Sequence, residues 1–257
     1  MIQSLYNKNA VTIIAGPCAV ENEHQTQSVA QFISKCGLTW FRAGTFKPRT
    51  SPYSFQGLGM KGLEILRGVS DAYNLLCISE LVSETYIDAF VSNCDAIQIG
   101  ARNMTNFEFL KALSEDAHKS LPILFKRGYA STIKEWICAA EYLCPDKNKN
   151  IMLCERGIRT FENATRFTLD ISSVPIVKMQ SNFPVCVDVS HSAGKVALVP
   201  SLAKAAIAAG ADALMVEVHP DPRNAKSDNG QQLNFDEFRH LISELRPIAS
   251  ALGKILI

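Results

Sequence analysis

The chain has 257 residues, 47% hydrophobic and 20% charged, with 26 Lys and Arg against 25 Asp and Glu. A net charge of +1 gives no global field for nucleic acid or an acidic membrane surface, so any anion site has to be local. No apolar run approaches the ~20 residues of a membrane span, no charged-then-apolar leader opens the chain, and eight scattered cysteines without CxxC spacing suit a reducing, cytoplasmic setting.

Short apolar, β-branched runs recur in chain order: VTIIAG at 11–16, LTWFRAG at 38–44, LLCISE at 75–80, AIQIG at 96–100, PILFKRG at 122–128, NIMLCERG at 150–157, VCVDVSH at 185–191 and ALMVEVH at 213–219. They read as eight strands buried on both faces, as in a parallel sheet. Segments of helical period lie between them. Thr105 with Glu108, and Thr132 with Glu135, have capping-box spacing. PSLAKAAIAAG runs from Pro200 at a helix start to Gly210 at its end, and Asn234 caps a last helix carrying Phe238, Leu241, Ile242 and Leu245. Eight strand–helix units in about 250 residues predict an α/β fold, a single-domain (β/α)8 TIM barrel over residues 1–257. A doubly wound open sheet is the alternative, but AGPCAVE at 15–21 is no GxGxxG turn.

In such a barrel the chemistry sits at the carboxyl ends of the strands. In order these ends carry Cys18, then Arg42, Lys47 and Arg49, then Glu80, Arg102, Lys126 with Arg127, Glu155 with Arg156, Asp188 with His191, and Glu217 followed by Asp228. No Asp or Glu occurs between Glu23 and Glu64, so Arg42, Lys47 and Arg49 have no local acid. Two like charges 4 Å apart repel by roughly 4 kcal/mol at an effective dielectric near 20, so such cations point apart into water or hold an anion between them. Arg42, Lys47, Arg49, Arg102, Lys126 and Arg156 form a cationic set suited to phosphate and carboxylate groups. Cys18, His191, Glu217 and Asp228 form a mixed soft–hard donor set for Mn, Fe, Co or Zn. His219, two residues beyond Glu217, is expected on the same side of its strand as a supporting residue. Cys154 is expected in the core.

These stretches, GPCAVE, KPRTSPYSFQGLG, QIGARN, LFKRG, CERGIRTFE, DVSHSAGK and VEVHPDPRNAKSDNGQQL, together span nearly the whole chain. On them the sequence resembles the 3-deoxy-D-arabino-heptulosonate 7-phosphate (DAHP) synthase family, in its short-chain microbial type I beta subgroup. The resemblance implies condensation of phosphoenolpyruvate with erythrose 4-phosphate and water, the first step of the shikimate pathway to aromatic amino acids. It implies one divalent metal ion on Cys18, His191, Glu217 and Asp228. Arg42, Lys47, Arg102, Lys126 and Arg156 would bind phosphoenolpyruvate, and Arg49 and Thr50 the sugar phosphate. Lys47, Arg42 and Glu80 would serve catalysis, Lys47 in proton transfer and Glu80 by orienting water or pairing a lysine. A homotetramer or dimer is implied as well. With about ten residues before the first strand, no appended regulatory or chorismate mutase domain is expected, and no direct inhibition by Phe or Tyr.

The chain departs from the family pattern in having Val189 where Asp-Pro-Ser-His is usual, and HSAG after it. The closest competing reading is 3-deoxy-D-manno-octulosonate 8-phosphate synthase, which takes arabinose 5-phosphate. Pro48-Arg49 stands here where that family has Asn-Arg, and Cys18 stands where its metal-free members have Asn. A non-catalytic barrel that binds phosphorylated metabolites is a reading of another class, as is a lyase that only cleaves sugar phosphates.

Overall fold

A computed structural model describes residues 4–114, 121–144 and 150–257. All eight predicted strands form: β1 Ala10–Gly16, β2 Trp40–Arg42, β3 Leu76–Leu81, β4 Ala96–Ile99, β5 Ile123–Lys126, β6 Ile151–Glu155, β7 Val185–Asp188 and β8 Ala213–Glu217. Each pairs in parallel with the next, and β8 pairs with β1 from Thr12↔Ala213 to Gly16↔Glu217, closing the sheet into a barrel. The helices around it are α1 Glu23–Lys35, α2 Met60–Ala72, α3 Ile87–Asn93, α4 Phe107–Ser114, α5 Ile133–Glu141, α6 Ser173–Gln180, α7 Val189–Ala193, α8 Val199–Ala208 and α9 Phe235–Ala251. The chain is a (β/α)8 TIM barrel.

A ninth strand, β9 Ile255–Leu256, was not foreseen. It adds to the lower half of β1 through Ala10↔Ile255 and Val11↔Leu256. The reason is the shortness of β2, whose three residues reach only Ile14 and Ala15. That leaves the amino-terminal half of β1 as an open edge, which the last residues of the chain cover.

The strand period of two decides what faces inward. One buried cluster, Ile14, Trp40, Ile78, Ala96, Leu124, Met152, Cys154, Cys186, Ala213 and Met215, fills the barrel, with Leu5 closing it from below. A second, larger cluster packs the outward strand residues against the helices. Counting two residues on from inward positions reaches Arg42, Glu80, Gln98, Lys126, Arg156, Asp188 and Glu217. The apolar plug thus gives way, within one alternation, to a polar layer at the carboxyl ends.

Two of the predicted caps form as read. Thr132 and Glu135 make a reciprocal box on α5, and Asn234 with Glu237 makes another on α9. The third differs. Helix α4 begins at Phe107, and the Asn106 side chain, not Thr105, accepts the Phe109 N–H at 3.4 Å. Asn is at least as good an N-cap as Thr, and Asn106 lies one residue nearer the apolar stripe.

Candidate active site

The polar layer is tied together by charge. Arg42 Nη1 donates to Glu217 Oε1 at 3.0 Å and to the Pro17 carbonyl at 2.7 Å. Lys126 Nζ donates to Asp188 Oδ2 at 2.6 Å. Burial alone would raise the Asp188 carboxyl, but His191 and Lys126 outweigh it and hold it well below the ordinary range. Asp188 therefore stays ionised and organises the turn above it. Its Oδ1 accepts the His191 backbone N–H at 3.0 Å, and its Oδ2 lies 2.8 Å from His191 Nδ1.

That turn corrects the seventh predicted strand. The strand ends at Asp188, and residues 189–193 form the short helix α7. Asp188 is its N-cap, and a capped helical start wins over the β-branched character of Val189. His191 is thereby lifted from the strand onto a helical turn. Val189, fully buried at the first helical position, stands where a proline would be tolerated.

His191 Nε2 lies 3.5 Å from both Glu217 Oε1 and Asp228 Oδ2. Cys18 Sγ donates to Asp228 Oδ2 at 3.3 Å. The ligand atoms of Cys18, His191, Glu217 and Asp228 all fall within 4.8 Å of one another. Asp228 reaches in from a loop with φ +50, a left-handed conformation that Asp and Asn tolerate better than most residues. Burial lowers the His191 pKa, against the pull of Asp188 and Glu217, so the imidazole is neutral and a ready donor. Burial first, then the Glu217 charge, push the Cys18 thiol up to about 12, although Lys47 opposes them. One sulfur, one imidazole nitrogen and two carboxylates at this spacing fit a borderline divalent ion, whose charge would offset that crowding.

Above these donors opens a cavity of about 250 Å³ whose cations are Lys47, Arg49, Arg102, Lys126, Arg156 and Arg166. Glu80 and Asp228 are its carboxylates, and Cys18, Arg42 and Glu217 are buried beside it. Lys47 Nζ donates to Cys18 Sγ at 3.0 Å and to the Cys18 carbonyl at 3.2 Å, so its ammonium borders the donor set. Arg156 lies 3.9 Å above the Phe167 ring and 5.1 Å from Tyr129, which Arg102 also approaches at 5.5 Å. Such stacking orients the guanidinium planes without consuming their charge. Thr50 Oγ1 accepts from Arg102 Nη2 at 3.4 Å. Glu80 Oε2 accepts from Gln98 Nε2 at 3.2 Å, and the absent Cβ of Gly100 leaves the room its carboxylate fills.

The structure thus gathers all twelve expected site residues at one mouth. It separates others. His219 does not join the donors. The strand ends at Glu217, and His219 Nε2 lies 3.5 Å from Glu21 Oε1. Arg127 and Glu155 occupy the outward parity of their strands, where Arg127 Nη1 pairs with Glu155 and Asp170, each at 2.8 Å. Replacing Arg127 by Met leaves the buried Glu155 unpaired. We expect a loss of about 3–5 kcal/mol in urea unfolding, with substrate KM values changed less than twofold. Cys154 is core, as expected.

Sequence reasoning missed Arg166, Gln231 and Gln232. Arg166 sits in the long β6–α6 connection, with Nη1 3.2 Å from Asp228 Oδ2 and 2.8 Å from Gln231 Oε1. Gln231 Nε2 donates to Glu217 Oε2 at 2.6 Å, and Gln232 Oε1 accepts the Cys18 N–H at 2.9 Å. The glutamines lay within the quoted SDNGQQL stretch, but nothing local in the sequence marks Arg166 off from a surface arginine.

Comparison with known proteins agrees with this geometry. The DAHP synthetase I family matches residues 6–251. Phospho-2-dehydro-3-deoxyheptonate aldolase of Thermotoga maritima is 50% identical over 242 residues, 94% of this chain and 71% of that protein. A crystal structure of the Thermotoga maritima DAHP synthase superposes with a TM-score of 0.93 at 48% identity, covering 98% of this chain and 73% of that one. The 2-dehydro-3-deoxyphosphooctonate aldolase of Desulfosudis oleivorans is more distant, 30% identical over 94% of this chain and 91% of its own length.

Proposed function

The chain belongs to the DAHP synthetase I family, and from that premise we propose that it condenses phosphoenolpyruvate with erythrose 4-phosphate and water, releasing DAHP and inorganic phosphate. The observation that carries this reading is the placing of four metal-competent donors within 4.8 Å of one another beside a cavity walled by cations.

Cys18, His191, Glu217 and Asp228 would hold one divalent ion (Mn, Fe, Co or Zn), which when bound supplies Lewis acidity for the aldehyde or for water. The chain's own residues do the rest. Two multiply charged anions have to meet, and the cationic wall offsets their repulsion. Arg102, Lys126 and Arg156 bind the phosphoenolpyruvate phosphate, with Arg42 and Lys47 at its reactive end. Arg49 and Thr50 bind the sugar phosphate. As C3 of the enol attacks the aldehyde carbon, negative charge grows on the aldehyde oxygen. Lys47 is the proton donor for it. Burial would lower its pKa, but the Cys18 sulfur (a thiolate once it ligates metal) and the Glu217 and Asp228 carboxylates raise it on balance, so the ammonium is kept at neutral pH. Positive charge grows at C2, where water adds and phosphate later leaves. Glu80, held by Gln98, orients that water.

The test is loss of the enol absorbance of phosphoenolpyruvate with metal-stripped protein, with and without Mn, offered erythrose 4-phosphate and arabinose 5-phosphate separately. Metal-dependent turnover with the four-carbon sugar alone is expected. Turnover with arabinose 5-phosphate would move the chain to the octulosonate reaction, and none with either sugar would favour a binding role. We further propose a cytoplasmic homo-oligomer, a tetramer or dimer. No described helix is long and apolar enough to cross a membrane, and Tyr53, Phe161 and Met179 leave apolar surface for subunit contact. Sedimentation at several concentrations checks the assembly.

A further inference from the structure

Arg166 has no part in the roles assigned above, yet it is as well placed in the cavity as Arg49. The two guanidinium groups face the same carboxylate. Arg49 Nη1 lies 3.6 Å from Asp228 Oδ1, and Arg166 Nη1 lies 3.2 Å from Asp228 Oδ2. Asp228 is thus an anion held between two arginine forks, in a cavity that also exposes Thr50, Ser51 and Ser54.

Arg166 is not a stray surface residue. Paired backbone bonds, Ile158 N–H to Thr168 O at 2.9 Å and Thr168 N–H to Ile158 O at 3.0 Å, pin the connection that carries it. The same segment docks on α7, where Phe167 N–H donates to Ser192 O at 3.1 Å. Gly194, in the left-handed region at φ +66, leaves the space into which Arg166 packs. Gln231 Oε1 then accepts from Nη1 at 2.8 Å. Asp228 is the one carboxylate the Arg166 guanidinium meets directly among the described residues, while Glu217 and Arg156 act on it from farther off.

Charge balance shows what this arrangement suits. Six cations line the cavity against Glu80 and Asp228, and Lys126 is paired with Asp188. With Asp228 serving a divalent ion, Arg49 and Arg166 are left facing the cavity with a full charge each. A phosphate presents paired oxygens at nearly the spacing of a carboxylate, and two guanidinium forks suit its double charge better than one. We propose that Arg166 and Arg49 together form the binding site for the phosphate of the sugar phosphate substrate, and that Asp228 occupies this clamp when no metal is bound. The proposal rests on the reading that an aldose phosphate is the second substrate.

The test uses Mn-loaded wild-type protein and Arg166→Gln. Inorganic phosphate is titrated calorimetrically in the presence of saturating phosphoenolpyruvate, so that the enol phosphate subsite is already filled. Bound Mn is measured on both proteins. We expect R166Q to bind phosphate at least tenfold more weakly, to raise the KM for erythrose 4-phosphate at least tenfold, and to leave the KM for phosphoenolpyruvate within twofold at full Mn content. Unchanged phosphate affinity overturns the proposal. So does loss of Mn from R166Q at saturating metal, which would make Arg166 a support for Asp228. A wild-type protein that binds phosphate through Arg166 but does not turn over erythrose 4-phosphate refutes the sugar assignment while leaving the clamp standing.

Discussion

Metal affinity is expected to rise about tenfold for each pH unit between about pH 7 and 8.5, with one proton released per ion bound. The sign follows from Cys18. Its thiol is pushed up to about 12 in the metal-free protein, first by burial and then by Glu217, so at neutral pH it carries its proton. A metal takes the thiolate, so binding must expel that proton, and lower proton activity favours binding. His191 adds little to the slope above about pH 7, because burial lowers its pKa from the ordinary imidazole value. Chelator competition at several pH values measures the slope, and calorimetry in buffers of different ionisation enthalpy counts the proton. Cys18→Ala should remove the slope and cost more than the 10–100-fold typical of a lost outer partner. A flat profile in the wild type would show that the Cys18 thiol is not a ligand.

Lys47→Met is expected to lower kcat by about 10³ at saturating Mn and substrates, within the range ascribed to a positioned general acid. Lys47 Nζ is the one ammonium in contact with the donor set among the described residues, 3.0 Å from Cys18 Sγ. Lys47→Arg should not restore the rate. A Cβ on Gly44 would sit only 2.8 Å from Lys47 Cδ and 2.9 Å from the Cys18 carbonyl, so the side chain runs through a narrow passage with no room for a planar fork. Removing the ammonium raises the Cys18 pKa but also removes a positive charge beside the ion, two opposed effects on Mn affinity at a given pH. Titrating Mn to saturation separates these effects from the loss of kcat. A K47M enzyme within tenfold of wild type at full metal occupancy would assign the proton to another group.

Much of this architecture was legible because two periodicities coincide. A strand alternates every two residues, and the barrel puts the apolar member of each inward pair low and the polar member high. Trp40 precedes Arg42, Leu124 precedes Lys126 and Met215 precedes Glu217, so apolar runs ending in one charge identified both the strands and the site. The same rule separates Lys126 from Arg127 and Arg156 from Glu155, since neighbours point to opposite faces. Composition could not make that separation.

What stayed hidden depends on contacts distant in the chain. β9 exists because β2 is too short to cover β1, a fact about two segments more than 200 residues apart. The helical turn under His191 depends on Asp188 turning its carboxylate back to the His191 N–H, where the β-branched run alone predicted more strand. His219 followed the strand period on paper, but the strand had already ended. Arg166 acquires its place only from Gly194, Gln231 and Asp228, none of them near it in sequence.

The central claim is that one divalent ion lies among Cys18, His191, Glu217 and Asp228, between two phosphate subsites of opposite assignment. Diffraction from crystals grown with Mn and phosphoenolpyruvate, collected for anomalous signal, tests it most directly. The account predicts a single Mn peak among those four side chains, and the enol phosphate on Arg102, Lys126 and Arg156. A metal peak elsewhere, or that phosphate seated between Arg49 and Arg166, would contradict it.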